Sequence, residues 1–161
     1  MMESSWNSRP EKLRVALGAD HAGFQAKESL KKYLQSAGYA VNDAGPWSEE
    51  SVDYPDFAVK VALSVRQGRD DLGILICGTG IGMAMAANKV GGIRAAVAHD
   101  AMTARMSREH NDANVLALGA RVLSEHQIIE AAATFLETPF AGGRHQRRVN
   151  KISELDHSRS T

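Results

Sequence analysis

The sequence lacks cysteine pairs, net charge and long apolar runs. Cys77 is its one cysteine, which excludes an internal disulfide and a cysteine-based metal site, so we expect a reducing, cytoplasmic compartment. The 19 Lys and Arg residues balance 19 Asp and Glu residues, so no global field draws the chain onto nucleic acid or an anionic membrane. No apolar run approaches the roughly 20 residues of a transmembrane helix. We therefore expect a soluble protein that binds charged ligands at local clusters, with neither nucleic acid nor a membrane as partner.

Length and composition indicate one globular domain. A chain of 161 residues, 43% apolar and 24% charged, has the size and composition of a soluble protein with a single core. Residues 1–12 are polar and lack the apolar segment of a signal peptide, so we expect a disordered N-terminal extension. We place the domain at 13–155 and a flexible tail at 156–161.

Apolar, β-branched runs alternate with segments of helical period, which predicts repeated βα units. The predicted strands are 13–18, 40–43, 72–77, 93–98 and 115–118. The predicted helices are 22–36, 57–67, 81–89, 101–109 and 125–136, and the segment 142–161 is a candidate last helix. Right-handed crossovers then give a single doubly wound (Rossmann-like) α/β domain, with a five-stranded parallel sheet and helices on both faces.

A glycine-rich turn follows the third strand, where such folds bind ligands. Gly78, Gly80 and Gly82 let backbone N–H groups approach a ligand, and the helix that follows favours negative charge, so the turn is a candidate site for an oxyanion or phosphate. The same glycines also suit a plain tight connection. Neither common nucleotide fingerprint fits, since Met83 stands at the third glycine of the dinucleotide motif and the segment 18–23 is followed by neither Lys nor Ser/Thr.

Cys77 and Thr79 flank the start of this turn. At the end of an apolar strand, Cys77 is either a small core residue or, before a helix N-terminus, a reactive thiolate. Thr79 either hydrogen-bonds to the thiol or a substrate oxygen, or caps the helix.

Two other positions in the chain have two interpretations each. His110 either complements the dipole of the fourth helix or transfers protons. Asp20 either caps the first helix or, together with His21, binds sugar hydroxyls. The six histidines show no metal-binding spacing, so we expect no metal.

The basic tail contains two arginines with helical spacing. Arg144 and Arg148 are four residues apart, which on a helix puts two guanidinium groups on one face, suited to a phosphate. Arg121, after the fifth strand, is a candidate third. A solvated charged tail is the alternative. In a neutral protein, this pattern favours a small phosphorylated substrate over a polymer.

Six motifs, in order, resemble the type B ribose-5-phosphate isomerases, which belong with the galactose-6-phosphate isomerase subunits in one sugar-phosphate isomerase family. The motifs are 18–23, 53–55, 77–82, 86–89, 107–111 and 143–148, and the likeness spans about Leu13 to Leu155. The resemblance implies interconversion of ribose 5-phosphate and ribulose 5-phosphate through an enediolate, without metal or cofactor.

The same resemblance implies a role for each site residue. Cys77 is the base that moves the proton between C1 and C2, Thr79 assists, and His110 opens the sugar ring. One family branch uses a glutamate at the position of Met83, so here the base is Cys77. The residues implied in substrate binding are Asp20, His21, Tyr54, Gly78, Gly80, Ile81, Gly82, Asn111, Arg121, Arg144 and Arg148. In the family, the phosphate clamp is completed across a dimer interface, which implies a homodimer or a tetramer.

Two alternatives to ribose 5-phosphate isomerisation stay open. One is the same chemistry on a six-carbon sugar phosphate, such as allose or galactose 6-phosphate. The other is a non-catalytic phosphate- or nucleotide-binding module in which Cys77 and His110 are structural.

Overall fold

The computed structural model describes residues 12–158, and within this range five strands alternate with helices. The strands are β1 (Arg14–Ala19), β2 (Ala40–Gly45), β3 (Leu72–Cys77), β4 (Ala95–Val97) and β5 (Val115–Gly119). The helices are α1 (Phe24–Ser36), α2 (Tyr54–Arg66), α3 (Ile81–Ala87), α4 (Ala101–Asn111), α5 (Glu125–Glu137) and α6 (Arg144–Ser158). None of these helices is long and apolar enough to cross a membrane.

The five strands form one parallel sheet with the order β2-β1-β3-β5-β4. The predicted single doubly wound domain with helices on both faces is confirmed. The strand that follows β1 in the chain lies on one flank of the sheet, and the strands that follow β3 lie on the other. The strand order therefore reverses between β1 and β3. Every residue of β3 is buried, as its unbroken apolar sequence predicts for a strand covered on both faces.

Two apolar cores lie on the two faces of the sheet. One face packs against α1, α4 and α5, with Leu30, Ala104 and Phe135 fully buried. The other packs against α2 and α3, with Val61 and Met83 fully buried. Met83 therefore belongs to the core and does not occupy the site.

Most predicted elements differ from the observed ones only at their ends. Helix α2 starts at Tyr54, three residues before the predicted start, because Asp53 is extended and Pro55 fits the first helical turn. Strand β4 is shorter than predicted. The candidate last helix is present as α6.

The predicted C-terminal boundary of the domain lies inside helix α6. Helix α6 continues to Ser158, three residues beyond the predicted boundary, and Asp156 in its last turns accepts a hydrogen bond from the N–H of Gly92 at 2.9 Å. The predicted segment 156–158 of flexible tail is therefore helical. Residues 1–11 of the predicted extension and residues 159–161 of the tail lie outside the described residues.

The parallel topology gives the sheet two different edges. Strands end, and the helices that follow them begin, at one edge, called here the carboxyl edge; helices α1 to α4 run back and end at the opposite, amino edge. Hydrogen bonds fix this for α4, since Asn114 N–H donates to the Arg94 carbonyl at 3.0 Å and Arg94 Nε donates to the Asp112 carbonyl at 3.0 Å. The end of α4 is thereby fastened beside the start of β4.

Candidate active site

The thiol of Cys77 lies at the carboxyl edge under a backbone donor. Cys77 is 4% exposed, and the N–H of Gly80 donates to its Sγ at 3.1 Å. Gly80 has φ +82°, and a Cβ built on it would lie 3.1 Å from the backbone of Leu118, so the turn requires glycine here. The glycine turn thus places a backbone N–H group against the sulfur of Cys77.

Thr79 is exposed within the same turn, with its hydroxyl accepting a hydrogen bond from the N–H of Ile81 at 3.2 Å. The N-cap of α3 is Gly80, so the interpretation of Thr79 as that cap is wrong. Its hydroxyl hydrogen remains available to a ligand or to water.

Asp20 and His21 follow the neighbouring strand β1. The N–H of Asp20 donates to the Ile76 carbonyl at 3.2 Å, which places Asp20 beside the end of β3. Its carboxylate accepts from the N–H of Gly23 at 3.0 Å; Gly23 is the N-cap of α1, so Asp20 closes the turn before the helix and is not its cap. His21 Nδ1 accepts from the N–H of Val52 at 3.3 Å, an arrangement that puts the ring hydrogen of neutral His21 on Nε2.

Two further predicted residues cover the glycine turn. The ring of Tyr54 packs on Gly82, where a built Cβ would lie 2.6 Å from Tyr54 Cζ, so the absence of a side chain at 82 makes room for the phenol. The side chain of Arg121 passes over Gly78, with Nη1 3.3 Å from a Cβ built there, and the N–H of Arg121 donates to the Gly78 carbonyl at 3.0 Å. A guanidinium group therefore stands above the turn.

These residues form one group, which we call the cysteine cluster. Its members are Asp20, His21, Tyr54, the turn 77–82 and Arg121. They come from the ends of β1, β3 and β5 and from the start of α2, which meet at the carboxyl edge.

The other predicted residues, together with His145, line a cleft of about 470 Å³ between α4 and α6. This group, the histidine cluster, consists of His110, Asn111, Arg144, His145 and Arg148. The His110 and His145 rings stack with centroids 4.5 Å apart and planes 13° apart. Arg144 and Arg148 line the same cleft, as their spacing on a helix predicts.

Within one chain the two clusters lie at different edges of the sheet. His110 is in the last turn of α4, which ends beside the start of β4 at the amino edge, whereas Cys77 ends β3 at the carboxyl edge. Helix α4 alone spans roughly 15 Å between these edges. The family resemblance implies that Cys77, His110 and Asn111 serve one site, but a single chain does not bring them together.

His145 is a member of the histidine cluster that sequence reasoning treats only as part of a basic tail. Partial burial of its ring lowers the pKa of His145, and His110, Arg144 and Arg148 lower it further, against a smaller opposite effect of Glu109. The signal that could have identified it is its spacing: residues 145, 148, 149 and 152 share one face of a helix.

The residues that the structure describes contain no group of three or more His, Cys, Asp and Glu side chains that could hold a metal ion. The two clusters instead present a thiol, imidazoles, backbone N–H groups and guanidinium groups. That set suits proton transfer on a substrate that carries a phosphate.

Comparison with known proteins places the chain in one family. Residues 15–152 match the family model described as Ribose/Galactose Isomerase. Ribose-5-phosphate isomerase B of Escherichia coli is 45% identical over 147 residues, 91% of this chain and 99% of that protein. The Clostridium thermocellum ribose-5-phosphate isomerase B structure superposes with a TM-score of 0.90 at 50% identity, covering 91% of this chain and 99% of the other.

Two other relatives bear on the ligand. The structure of ribose-5-phosphate isomerase B from Mycoplasma genitalium, with bound ribulose-5-phosphate, superposes with a TM-score of 0.86 at 42% identity and covers 89% of this chain and 96% of that one. A D-erythrulose-4-phosphate isomerase of Pectobacterium atrosepticum is also 42% identical, over 90% of this chain and 96% of that protein. The chain belongs to the ribose/galactose isomerase family.

Proposed function

We propose that this protein is an aldose–ketose isomerase that interconverts D-ribose 5-phosphate and D-ribulose 5-phosphate. The observation that carries the proposal is the Cys77 thiol, which lies under the N–H of Gly80 at the carboxyl edge of the sheet. The chain belongs to a family of sugar-phosphate isomerases. The bound ribulose-5-phosphate in the Mycoplasma genitalium relative supports a five-carbon substrate. We place the reaction in the cytoplasm, where reducing conditions keep this thiol free.

Cys77 is the proposed base of the isomerisation. Its thiolate removes the proton from C2 of the open aldose, and the electron pair of that C–H bond forms the C1–C2 double bond of an enediolate. The proton then returns to C1, the C2 oxygen becomes the carbonyl, and the proton of the C2 hydroxyl moves to the C1 oxygen. Backbone N–H groups of the turn 78–82 stabilise the negative oxygens, and the exposed hydroxyl of Thr79 assists the transfer between them.

His110 is the proposed acid–base group for ring opening. Ribose 5-phosphate in its furanose form has no carbonyl, so its C2 proton is not acidic until the ring opens. A histidine can give a proton to the ring oxygen and accept the proton of the C1 hydroxyl. The partly buried position of His110 in the cleft beside Arg144 suits a substrate whose phosphate is bound nearby.

The separation of the clusters supports a site shared between two copies of the chain. In the proposed homodimer, the cysteine cluster of one copy faces the histidine cluster of the other, so that Arg121 and the pair Arg144 and Arg148 clamp one phosphate. Large apolar side chains are available for such a contact, since Ile81 in the cysteine cluster is 49% exposed and Met85 beside it is 65% exposed.

The carbon number of the substrate needs a direct test, because relatives of equal identity bear names for five-carbon and four-carbon sugar phosphates. We expect kcat/KM to be highest for ribose 5-phosphate when it is measured beside erythrose 4-phosphate and allose 6-phosphate on one preparation. A clear preference for the four- or six-carbon sugar would overturn the proposed substrate and leave the reaction type in place.

Cys77→Ala tests the chemistry. Loss of a general base lowers kcat by about 10²- to 10⁴-fold, and we expect this loss with an unchanged circular dichroism spectrum. Met85→Leu is the control for a substitution near the turn that leaves the thiol in place, and we expect it to keep near-normal kcat. Near-normal turnover by folded Cys77→Ala would contradict the role of the thiolate.

A further inference from the structure

His145 and His110 form a stacked pair that the proposed reaction does not explain. The pair joins the last turn of α4 to the first turn of α6. Gly142 and Gly143 have φ of +65° and +56°, and these two left-handed residues turn the chain so that α6 begins against the end of α4. The N–H of Ala141 donates to the Glu109 carbonyl at 3.1 Å and fastens this connection. The backbone thus holds the two rings face to face.

We propose that His145 is a positioning residue that stacks on His110 and couples proton uptake by this pair to binding of a phosphate group at Arg144 and Arg148. The inference rests on the proposed function for the identity of the phosphate ligand. The coupling itself concerns only binding and protonation.

Charge repulsion limits how many protons the stacked pair holds. Two imidazolium rings with centroids 4.5 Å apart repel each other, so the pair takes a second proton much less readily than the first. Such a pair titrates as a unit, and any charge brought near either ring changes the proton affinity of both.

The charged groups around the pair come from α4 and α6. On α6, Arg144 and Arg148 line the same cleft and oppose protonation of His145. On α4, Glu109 favours it, although Arg105 lies 4.0 Å from the Glu109 carboxylate. Arg108 is paired with a different group, since its Nη1 lies 3.0 Å from the Asp112 carboxylate. The balance without a ligand therefore lowers the pKa of His145.

A phosphate dianion at the two arginines reverses this balance. It offsets their positive charges and places negative charge beside the rings, so a proton on the pair becomes more stable. Near the ordinary histidine pKa of about 6.5, binding then takes up a proton. Since His110 is the proposed acid for ring opening, the pair gains its acidic proton when substrate is bound.

The experiment uses sulfate as the probe, because sulfate stays a dianion across this pH range and any proton uptake then belongs to the protein. Calorimetric titration of the full chain at about pH 6.5, in two buffers of different ionisation enthalpy, gives the number of protons taken up. We expect between about 0.3 and 1 proton per sulfate bound, and an affinity that rises as the pH falls.

His145→Gln removes the titrating ring and should reduce this uptake by at least about half. His126→Gln is the matched control, because His126 is an exposed histidine on α5 outside both clusters, and its uptake should equal that of the unmodified protein. The histidine ring resonances of the unmodified protein, titrated with and without sulfate, give the same answer without any substitution: two resonances should shift their midpoints upward together.

Uptake below about 0.1 proton, uptake unchanged by His145→Gln, or no binding of sulfate at millimolar concentration would each overturn the coupling. Isomerase activity is measured on the same preparations. Activity without proton uptake overturns only the role of His145, whereas proton uptake without activity on any sugar phosphate overturns only the proposed function.

Discussion

Arg147 and Arg148 are neighbours on α6 with different surroundings. Both are exposed, but Arg148 lines the cleft of the histidine cluster, with its Nη1 3.3 Å from the Arg144 carbonyl, whereas Arg147 does not line that cleft. The helix therefore directs only one of the two guanidinium groups toward the proposed phosphate. A pair of adjacent arginines with such different positions allows a matched test of the phosphate clamp.

Arg148→Ala should raise KM for ribose 5-phosphate by about 10- to 100-fold, as expected for a lost hydrogen bond to a charged group. The phosphate is bound equally in the ground state and the transition state, so kcat should change little. Arg147→Ala should leave both constants unchanged, as steady-state kinetics will show. Equal effects of the two substitutions would remove Arg148 from the clamp.

The proposed ring opening by His110 is not needed by a substrate that forms no ring. In erythrose 4-phosphate the only hydroxyl that could close a furanose carries the phosphate, so this sugar is always open. His110→Asn should lower kcat/KM for ribose 5-phosphate by about 10²-fold or more and should lower that for erythrose 4-phosphate much less. The measurement is the ratio of the two constants in variant and unmodified protein. A ratio that does not change would contradict ring opening by His110.

The site residues that the sequence predicts are those whose backbone context is local. The glycines of the turn 78–82 and the thiol before them could be interpreted without the fold, because turn geometry and strand ends are visible in the sequence. His145 was missed, because its significance depends on a ring from another helix 35 positions earlier in the chain. Contacts between distant segments leave no local pattern.

At the scale of elements, a buried ion pair joins α1 to the end of β2. Lys27 has no exposed side chain, and its Nζ lies 2.8 Å from both carboxylate oxygens of Asp43. The same carboxylate accepts from the N–H of Gly45 at 2.8 Å, where the pairing of β2 with β1 shifts register. The ion pair thus fixes the start of the segment 46–53. This segment leads from β2 back to His21 and Tyr54.

Asp43→Asn should lower the free energy of unfolding by at most about 3–5 kcal/mol at neutral pH, because the buried Lys27 ammonium then keeps only the Glu28 carboxylate, 2.9 Å away. Burial raises the pKa of Asp43, but hydrogen bonds from Lys27 and Lys31 outweigh burial and hold the pKa below its usual value. A lowered pKa stabilises the fold above the unfolded value and stops doing so as the pH falls through the folded value. The difference between variant and unmodified protein should therefore narrow in acid below about pH 4.

Denaturant unfolding at several pH values measures this difference. Asp71→Asn is the matched control, because Asp71 pairs with Arg14 at 3.0 Å in an exposed position and should contribute much less. Equal losses for the two variants at neutral pH would show that burial of Lys27 has no special effect.

The sequence predicted the order and type of nearly every element, because most strands are apolar runs and most helices have an apolar face. Strand β3 has the predicted bounds. Ends that depend on tertiary contacts were less predictable: β4 is shortened at its start, where the N–H of Arg94 donates to the side-chain oxygen of Asn114. The last helix was visible only as a candidate, since its apolar positions are few and its surface is mostly charged.

At the scale of the whole molecule, topology divides the proposed site. A parallel sheet puts the ends of strands at one edge and the ends of helices α1 to α4 at the other, so Cys77 and His110 cannot meet within a chain. The sequence contains the residues of both clusters but does not show that the clusters are separated. The separation becomes visible only when each motif is assigned to the end of a strand or of a helix. The central claim is that two copies of the chain complete one site.

Mixing two inactive variants tests this claim most directly. Cys77→Ala destroys the cysteine cluster and His110→Ala destroys the histidine cluster, so a dimer with one copy of each has one intact site and one that is doubly defective. When the variants exchange subunits at equal concentration, about half of the dimers are mixed, and activity on ribose 5-phosphate should rise to about one quarter of that of the unmodified protein. Activity that stays at the average of the two separate variants, with exchange verified by mass spectrometry, would contradict the shared site.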